Sequence, residues 1–337
     1  MKKTLPLILL CVIIIAAITA ITIIVLKWPK TATTNQPQTI IPVSKPKPTP
    51  KKWSLLAVGD VMLGRQIDAK IQAKGSDFPF LETASTLKQA DITFGNLESP
   101  FSEDGAIHSD DTMNLKTTSD NIESLKYAGF NVLNLANNHF DNGGQAGESL
   151  TMTILKDNNI GFIGAGNNFQ AAHTVFIKTI GNLKIAFLGY TDRDVLSAQA
   201  IATNDRPGVA VMDSDQLIND INAAKQQADV IIISMHSGTE YALEPNARQI
   251  EFAHTAIDNG ADMVIGTHPH VVQTIETYKD KPIFYSLGNF VFDQPWSEAT
   301  KKGLAIKINF TDTKIDNIEE MPLTIQNLAQ PVFDNPN

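Results

Sequence analysis

Six apolar segments of this 337-residue chain end at side chains that could bind a metal ion or transfer a proton. In an open α/β sheet, ligands collect at the carboxyl ends of the strands, so six such ends with similar residues predict one shared site. The segments end at Gly59-Asp60, Gly95-Asn96-Leu97-Glu98, Ala136-Asn137-Asn138-His139, Met235-His236, Gly266-Thr267-His268-Pro269-His270 and Gly288-Asn289.

The histidine pair His268 and His270 gives the strongest single indication of a metal site. Two imidazoles that are two residues apart in an extended segment point the same way, and the intervening Pro269 favours an extended backbone. His236 also ends an apolar run, but one histidine in that position is more often a buried side chain satisfied by hydrogen bonds.

Asp60 and Glu98 add carboxylates to this set. Gly59 would let Asp60 approach a cation closely, and the alternative is an aspartate that begins a turn. Glu98 could bridge two cations and Asn96 could add an oxygen, whereas a surface glutamate before Ser-Pro is the alternative for Glu98.

Asn138 and His139 suggest acid–base chemistry beside a metal ligand. Asn138 could supply a neutral oxygen, and His139 could face the substrate and act as general acid. Asp141 could orient His139, as carboxylates orient imidazoles around metals. The alternative is an asparagine-rich turn after a strand.

The chemistry of these ligands restricts the metal. They offer imidazole, carboxylate and amide groups, and the only cysteine, Cys11, lies in the apolar N-terminus. This set predicts a divalent transition metal, Mn, Zn or Fe, as one or two ions. Two ions about 3.5–4 Å apart could clamp a phosphoryl group and activate water.

The charge distribution excludes a broad nucleic-acid surface. Residues 1–52 hold eight of the 27 basic residues and no acidic residue, which leaves 19 basic and 36 acidic residues, a net charge of −17, in the remainder. A polyanionic substrate would therefore be held locally, by a metal, and no nucleic-acid partner is expected.

Strand-like and helix-like segments alternate and predict a layered α/β domain. The chain ends in strand-like segments without helices, which predicts an antiparallel end. The predicted helices are Thr118–Ala128, Gly147–Asp157, Asp215–Gln227 and Asn246–Asn259, and the predicted strands are Trp53–Val58, Ile92–Phe94, Val132–Ala136, Ile160–Ile163, Lys184–Leu188, Val230–Ser234, Met263–Ile265, Ile283–Ser286, Leu304–Phe310 and Ile318–Ile325.

The N-terminal region predicts a single-pass membrane protein. Residues 5–26 are uncharged and would form about 33 Å of helix, enough to cross a bilayer, and a cleaved signal peptide is the alternative. This divides the chain into a short cytoplasmic tail (1–4), a transmembrane anchor (5–26), a linker rich in Pro, Lys and Thr (27–52), an extracytoplasmic domain (53–330) and a C-terminal tail (331–337).

The order and spacing of the motifs resemble the CapA (PgsA) family of poly-γ-glutamate capsule synthesis proteins, whose domain is similar to calcineurin-like metallophosphoesterases. Met62 differs from the wider phosphoesterase pattern, which has Asp-x-His there, and Ser237 stands where the family usually has Trp. The resemblance is carried by Val58-Gly59-Asp60-Val61-Met62, Asn96-Leu97-Glu98-Ser99-Pro100, Leu135-Ala136-Asn137-Asn138-His139 with Asp141, His236-Ser237-Gly238 with Glu240-Tyr241, Gly266-Thr267-His268-Pro269-His270 and Ser286-Leu287-Gly288-Asn289-Phe290.

The resemblance implies a four-layer α-β-β-α sandwich, preceded here by the predicted transmembrane helix, with a metal site at one sheet edge. His139 would be the acid, oriented by Asp141. Substrate contacts are expected from Asn96, Glu240 and Asn289. The implied metal ligands are Asp60, Glu98, Asn138, His236, His268 and His270.

Three functions agree with these features. The first is a membrane-anchored extracytoplasmic protein of poly-γ-glutamate synthesis or export with a metal-dependent, hydrolase-like site. The second is a non-catalytic scaffold of the membrane synthase, or a guide for the polymer. The third is a general extracytoplasmic metallophosphoesterase. In the first two, the expected partners are poly-γ-glutamate or its membrane synthase subunits.

Overall fold

The computed structural model describes residues 13–19, 22–23, 27, 50–108 and 113–334. The predicted cytoplasmic tail (1–4) lies outside these ranges. So do most of the predicted anchor (5–26) and linker (27–52) and the last three residues of the predicted C-terminal tail (331–337). Residues 13–19 are helical. Within the described ranges, no helix combines the length and the apolar character that crossing a membrane requires.

The described residues 50–108 and 113–334 contain seven α-helices and sixteen strands. The helices are α1 (Arg65–Lys74), α2 (Ala84–Leu87), α3 (Ile122–Ala128), α4 (Gly144–Asp157), α5 (Phe169–Ala172), α6 (Ser214–Lys225) and α7 (Ala247–Asp258). The strands are β1 (Lys52–Val61), β2 (Ile92–Leu97), β3 (Val132–Asn134), β4 (Gly161–Ile163), β5 (Ala165–Gly166), β6 (Phe176–Ile180), β7 (Leu183–Thr191), β8 (Gly208–Val209), β9 (Val230–His236), β10 (Met263–Thr267), β11 (Ile275–Tyr278), β12 (Lys281–Phe284), β13 (Asn289–Val291), β14 (Lys302–Thr311), β15 (Lys314–Gln326) and β16 (Gln330–Phe333).

Most strands belong to two large sheets. The eight-stranded sheet has the order β16-β15-β14-β1-β2-β3-β4, and β13 pairs with the end of β1; the six-stranded sheet has the order β11-β12-β10-β9-β7-β6. Strands β1 to β4 pair in parallel, as do β7, β9, β10 and β12, whereas β14 to β16 pair antiparallel. The predicted α/β architecture and its antiparallel end are confirmed.

The alternation of side chains along β1 shows how the layers pack. Leu55 belongs to a core between the two sheets, while its neighbour Leu56 belongs to a core that also contains Leu125 of α3. Successive residues of a strand face opposite sides, so β1 is covered on one side by the second sheet and on the other by helices. A third core packs α6 and α7 on the outer face of the second sheet. The order of layers is therefore helix, sheet, sheet, helix.

The boundaries differ from prediction where local periodicity is weak. The predicted helix Thr118–Ala128 begins as a 3₁₀ turn at Ser119, and α1 was not predicted because its apolar residues are few. Lys52 of the predicted linker belongs to β1, and residues 331–333 of the predicted tail belong to β16.

Candidate metal centre

The carboxyl ends of the parallel strands of both sheets bring the implied ligands together. Asp60 lies near the end of β1, Glu98 follows β2, and Asn138 follows β3. On the second sheet, His236 ends β9, and the segment with His268 and His270 follows β10. Asn138 is partly buried and the other five side chains are buried.

The ligands form two groups, and Glu98 lies close to both. Nitrogen or oxygen atoms of Asp60, Glu98 and His270 all lie within 4.8 Å of one another. In the second group, His236 Nε2 lies 2.8 Å from Asn138 Oδ1, 3.2 Å from His268 Nδ1 and 3.8 Å from Glu98 Oε1. The implied ligands therefore form two adjacent groups of side chains, each of which could hold one cation.

The histidines His236 and His268 are neutral and ready to bind a cation, whereas Glu98 would lose a proton on binding one. Burial, followed by the neighbouring Asp60 carboxylate, raises the pKa of Glu98 well above its usual value, and Glu98 Oε2 is buried without a hydrogen-bond partner. Burial lowers the pKa of His236 and lowers that of His268 to about 3, so both imidazoles are neutral near pH 7. Neutral imidazoles are metal ligands, and a cation would satisfy Glu98 Oε2. The residues fit Mn, Zn or Fe.

The backbone of the histidine pair differs from prediction. His268 has φ +100° and His270 has φ +59°, so the segment is not extended and the predicted reason for their convergence is wrong. Residues other than glycine rarely adopt positive φ, and such strain is typical of functional sites. The imidazoles converge because the chain turns after β10. The two ring centroids are 6.1 Å apart.

Asn142, rather than Asp141, contacts His139. Asn142 Oδ1 lies 3.1 Å from His139 Nδ1 and also accepts the Leu115 N–H at 2.7 Å. Asp141 instead accepts a hydrogen bond from the Ser197 hydroxyl at 2.6 Å. The predicted contact of Asp141 with His139 is therefore corrected. His139 precedes a 3₁₀ turn, in which residues three apart share a face and residues two apart do not.

These contacts also show which ring nitrogen of His139 carries the proton. Because Asn142 Oδ1 is fixed as an acceptor by Leu115 N–H, His139 Nδ1 must donate to it. His139 Nε2 then accepts from Asn138 Nδ2 at 3.2 Å. Burial lowers the pKa of His139 to about 4, although the hydrogen bond with Asn142 opposes this shift.

Two residues predicted to bind substrate instead support the ligands. Asn96 is buried, and its amide donates to Asp60 Oδ1 at 2.8 Å while its oxygen accepts from Asn134 at 2.9 Å. Asn289 is also buried, and its Oδ1 lies 2.9 Å from His270 Nδ1. Both are surrounded by protein groups, so their predicted contact with substrate is corrected.

Glu240, the third residue predicted to bind substrate, lies at the edge of the centre. It is partly buried. Burial, and then the charge of Glu240, raise the pKa of the half-exposed Tyr241 to about 12. Tyr241 in turn lies near His270, with ring centroids 6.2 Å apart. Glu240 is therefore placed where a substrate could reach it.

The sequence showed Met62 in place of the histidine of the wider phosphoesterase pattern, but Arg65 was not predicted as part of this site. Met62 Sδ accepts the Gly64 N–H at 3.0 Å, so the thioether is used within its own turn. Arg65 is buried, forms an ion pair with Asp293 and has φ +47°. A basic residue five positions after Asp60 was the only signal of Arg65 in the sequence.

Comparison with known proteins places this centre in a family. A model of the bacterial capsule synthesis protein PGA_cap matches residues 54–294, which include every implied ligand. The chain belongs to this family. The capsule biosynthesis protein CapA of Bacillus anthracis is 36% identical over 82% of this chain and 68% of that protein. The PGA biosynthesis protein CapA of Bacillus subtilis is 35% identical over 80% of this chain and 73% of that protein.

Solved structures align with this chain at low sequence identity. A hypothetical protein from Thermus thermophilus aligns with a TM-score of 0.51 and 14% identity, over 81% of this chain and 99% of that one. The calcineurin-like phosphoesterase YfkN of Bacillus subtilis aligns with a TM-score of 0.49 and 13% identity, over 83% of this chain and 93% of that one. The first of these shows a common fold.

Proposed function

We propose that this PGA_cap protein is a membrane-anchored, extracytoplasmic, metal-dependent hydrolase-like protein that serves poly-γ-glutamate synthesis or export. The observation that carries the hydrolase-like site is the convergence of Asp60, Glu98 and His270 within 4.8 Å of one another, beside the group formed by Asn138, His236 and His268. The role in capsule polymer synthesis is supported by family membership.

The six ligands would hold one or two divalent ions. When bound, such ions would polarise a phosphoester and lower the pKa of the attacking water. His139 lies next to Asn138 and would protonate the leaving group through Nε2. In the structure its proton is on Nδ1, facing Asn142. An anionic substrate near Nε2 would raise the pKa of His139 from about 4 and favour the second proton that this role requires.

Anchoring and location are part of the proposal. Residues 5–26 carry no charge and are followed by a proline-rich stretch, which together are typical of a membrane helix and a spacer. The expected partners are the membrane synthase subunits and the polymer itself.

A phosphodiester assay tests the hydrolase-like site. The full chain loaded with Mn²⁺ should hydrolyse a chromogenic phosphodiester, and the double variant Asn138→Ala, His268→Ala should lose about 100-fold or more in kcat/KM. His254→Ala is the matched control, because His254 pairs with Glu276 at 3.0 Å and contacts none of the ligands. Equal turnover in the double variant and the wild type would refute the catalytic site.

A scaffold function is the second candidate, and Met62 is the observation that favours it. The wider phosphoesterase pattern has a histidine there, and the Met62 thioether is used by Gly64 instead. Polymer production in a deletion strain separates the candidates. Restoration by the Asn138→Ala, His268→Ala variant supports the scaffold, and failure despite normal protein levels supports the hydrolase-like site. Turnover of phosphodiesters without any effect on the polymer supports a general metallophosphoesterase.

A further inference from the structure

Arg65 is a buried cation connected to the candidate metal centre. Its side chain is 3% exposed, and Nη2 donates to Asp293 Oδ1. The guanidinium also lies over the Phe292 ring, 5.6 Å from its centroid. The same ring makes an edge-to-face contact with the ligand His270, with centroids 4.8 Å apart. Phe292 therefore contacts both the arginine and a ligand.

The backbone at Arg65 is held in an unusual conformation. Its φ of +47° is in the left-handed region, which disfavours residues other than glycine. The turn between β1 and α1 keeps it there through the hydrogen bond from Gly64 N–H to Met62 Sδ and the one from Leu63 N–H to Ser99 Oγ at 2.6 Å. Conformations of this kind persist where surrounding contacts impose them and are concentrated at ligand-binding positions.

The charge of Arg65 acts on several sides of the centre. Burial sets the direction of the pKa shifts of Glu98, His139 and Tyr241, and the Arg65 charge adds a lowering effect at all three. These groups follow β2, β3 and β9 in the chain. The surroundings are otherwise rich in carboxylates, and residues 53–337 carry a net charge of −17. An anion entering this region would be attracted at Arg65.

We propose that Arg65 binds an oxyanion group of the substrate, phosphoryl or carboxylate, beside the candidate metal centre. A guanidinium presents five N–H groups in a planar fork that matches both kinds of oxyanion. Asp293 holds the fork in place, and Gln66 N–H donates to the other oxygen of Asp293 at 3.3 Å. This assignment rests on the proposed function and identifies the substrate as anionic next to the reacting group.

Calorimetry with two small probes tests the assignment. Inorganic phosphate and glutarate are titrated separately into the Mn²⁺-loaded full chain, the Arg65→Lys variant and the matched control Arg248→Lys. Arg248 also pairs with a carboxylate, Asp192, at 3.1 Å, but is 42% exposed. Arg65→Lys should weaken binding of phosphate, glutarate or both about ten-fold, with unchanged Mn²⁺ affinity, and Arg248→Lys should leave both unchanged.

The outcomes separate this inference from the function on which it rests. If Arg65→Lys binds Mn²⁺ and both probes as tightly as the wild type does, Arg65 is structural and the inference fails alone. If the wild type binds no metal, the proposed function fails first. If the Arg65→Lys variant does not fold, a crystal structure of the wild type with Mn²⁺ and phosphate tests the inference instead. Phosphate within hydrogen-bond distance of Arg65 supports the inference, and phosphate bound away from Arg65 overturns it.

Discussion

Burial moves the pKa values of acidic and basic ligands in the candidate metal centre in opposite directions. The pKa of Glu98 is raised, whereas those of His236 and His268 are lowered, so burial favours the uncharged form of each. A bound divalent ion would instead favour the ionised form of Glu98, because a coordinating carboxylate is ionised. Metal binding should therefore release protons and become weaker as the pH falls.

The partner of His139 gives the first prediction at the residue scale. Asn142→Ala removes the acceptor of the His139 Nδ1–H and should lower kcat about ten- to a hundred-fold, because a misplaced imidazole protonates the leaving group poorly. Metal content should be unchanged. Asp141→Ala is the control, since Asp141 contacts Ser197, and should retain nearly full kcat in the phosphodiester assay. The opposite ranking of the two variants would restore the sequence-based assignment to Asp141.

This contrast shows what residue types can predict. The sequence identified Asp60, Glu98 and the histidines, because side chains after apolar runs reach one sheet edge whatever the details of the turns. The sequence could not show whether Asp141 or Asn142 contacts His139. The answer depends on the helical period of the turn, which is a 3₁₀ turn here. Nor could the sequence predict that His268 and His270 adopt positive φ, since their contacts come from distant strands.

Glu148 gives a prediction for the dependence of stability on pH. Burial, and then the charge of Asp141, raise the pKa of Glu148 to about 7 from 4.5. The folded protein therefore holds this proton more tightly than the unfolded chain, and stability falls as pH rises from 4.5 to 7. Glu148→Gln should raise the free energy of unfolding at pH 8 by about 1–2 kcal/mol, with little change at pH 4, because glutamine carries no charge that burial penalises.

Urea unfolding of the Glu148→Gln variant at both pH values measures this difference. The exposed Glu251→Gln on α7 is the control and should show the same stability as the wild type at pH 4 and at pH 8. A Glu148→Gln variant that is stabilised equally at both values would mean that ionisation of Glu148 is not the cause.

At the scale of elements, close contact between strand ends fixes the end of β1 that carries Asp60. Gly59 of β1 lies against the turn before β13, and the N–H of Asp60 donates to Gly288 O at 3.0 Å. A Cβ added at Gly59 would lie 1.8 Å from the same carbonyl oxygen. The sequence predicted β1 correctly but not β13, because three residues are too few to show a period.

Gly59→Ala should consequently destabilise the fold by about 3 kcal/mol or more, since the backbone of one strand end must move. Thermal and urea unfolding of the full chain measure the loss. Gly143→Ala is the control, because its Cβ would lie 3.4 Å from the nearest atom, Phe101 O, and should change stability by less than about 1 kcal/mol. Equal stability of the Gly59→Ala variant and the wild type would show that the strand ends are less tightly packed.

At the scale of the whole molecule, the proposed anchor and spacer precede an acidic domain in the sequence. Residues 1–52 hold eight basic residues and no acidic residue, whereas residues 53–337 carry a net charge of −17. An acidic domain is repelled by an anionic polymer and by an anionic membrane surface. This arrangement favours contact with substrate at the metal centre over adsorption along the surface.

Fractionation tests the proposed anchor. The full chain should be recovered with membranes and released by detergent but not by high salt, because about 22 apolar residues resist extraction by salt. A variant without residues 5–26 is the control and should leave the membrane fraction. In intact protoplasts, added protease should digest the domain. Recovery of the full chain in the soluble fraction, or protection from protease, would refute the anchor or its orientation.

Metal content tests the central claim most directly. The full chain, incubated with Mn²⁺, Zn²⁺ or Fe²⁺ and then dialysed, should retain about one or two ions per chain by mass spectrometry, and Glu98→Gln should retain fewer because Glu98 lies close to both groups of ligands. His254→Ala should retain as much metal as the wild type. Wild-type protein that binds none of these ions, or a Glu98→Gln variant that binds them equally well, would contradict the account.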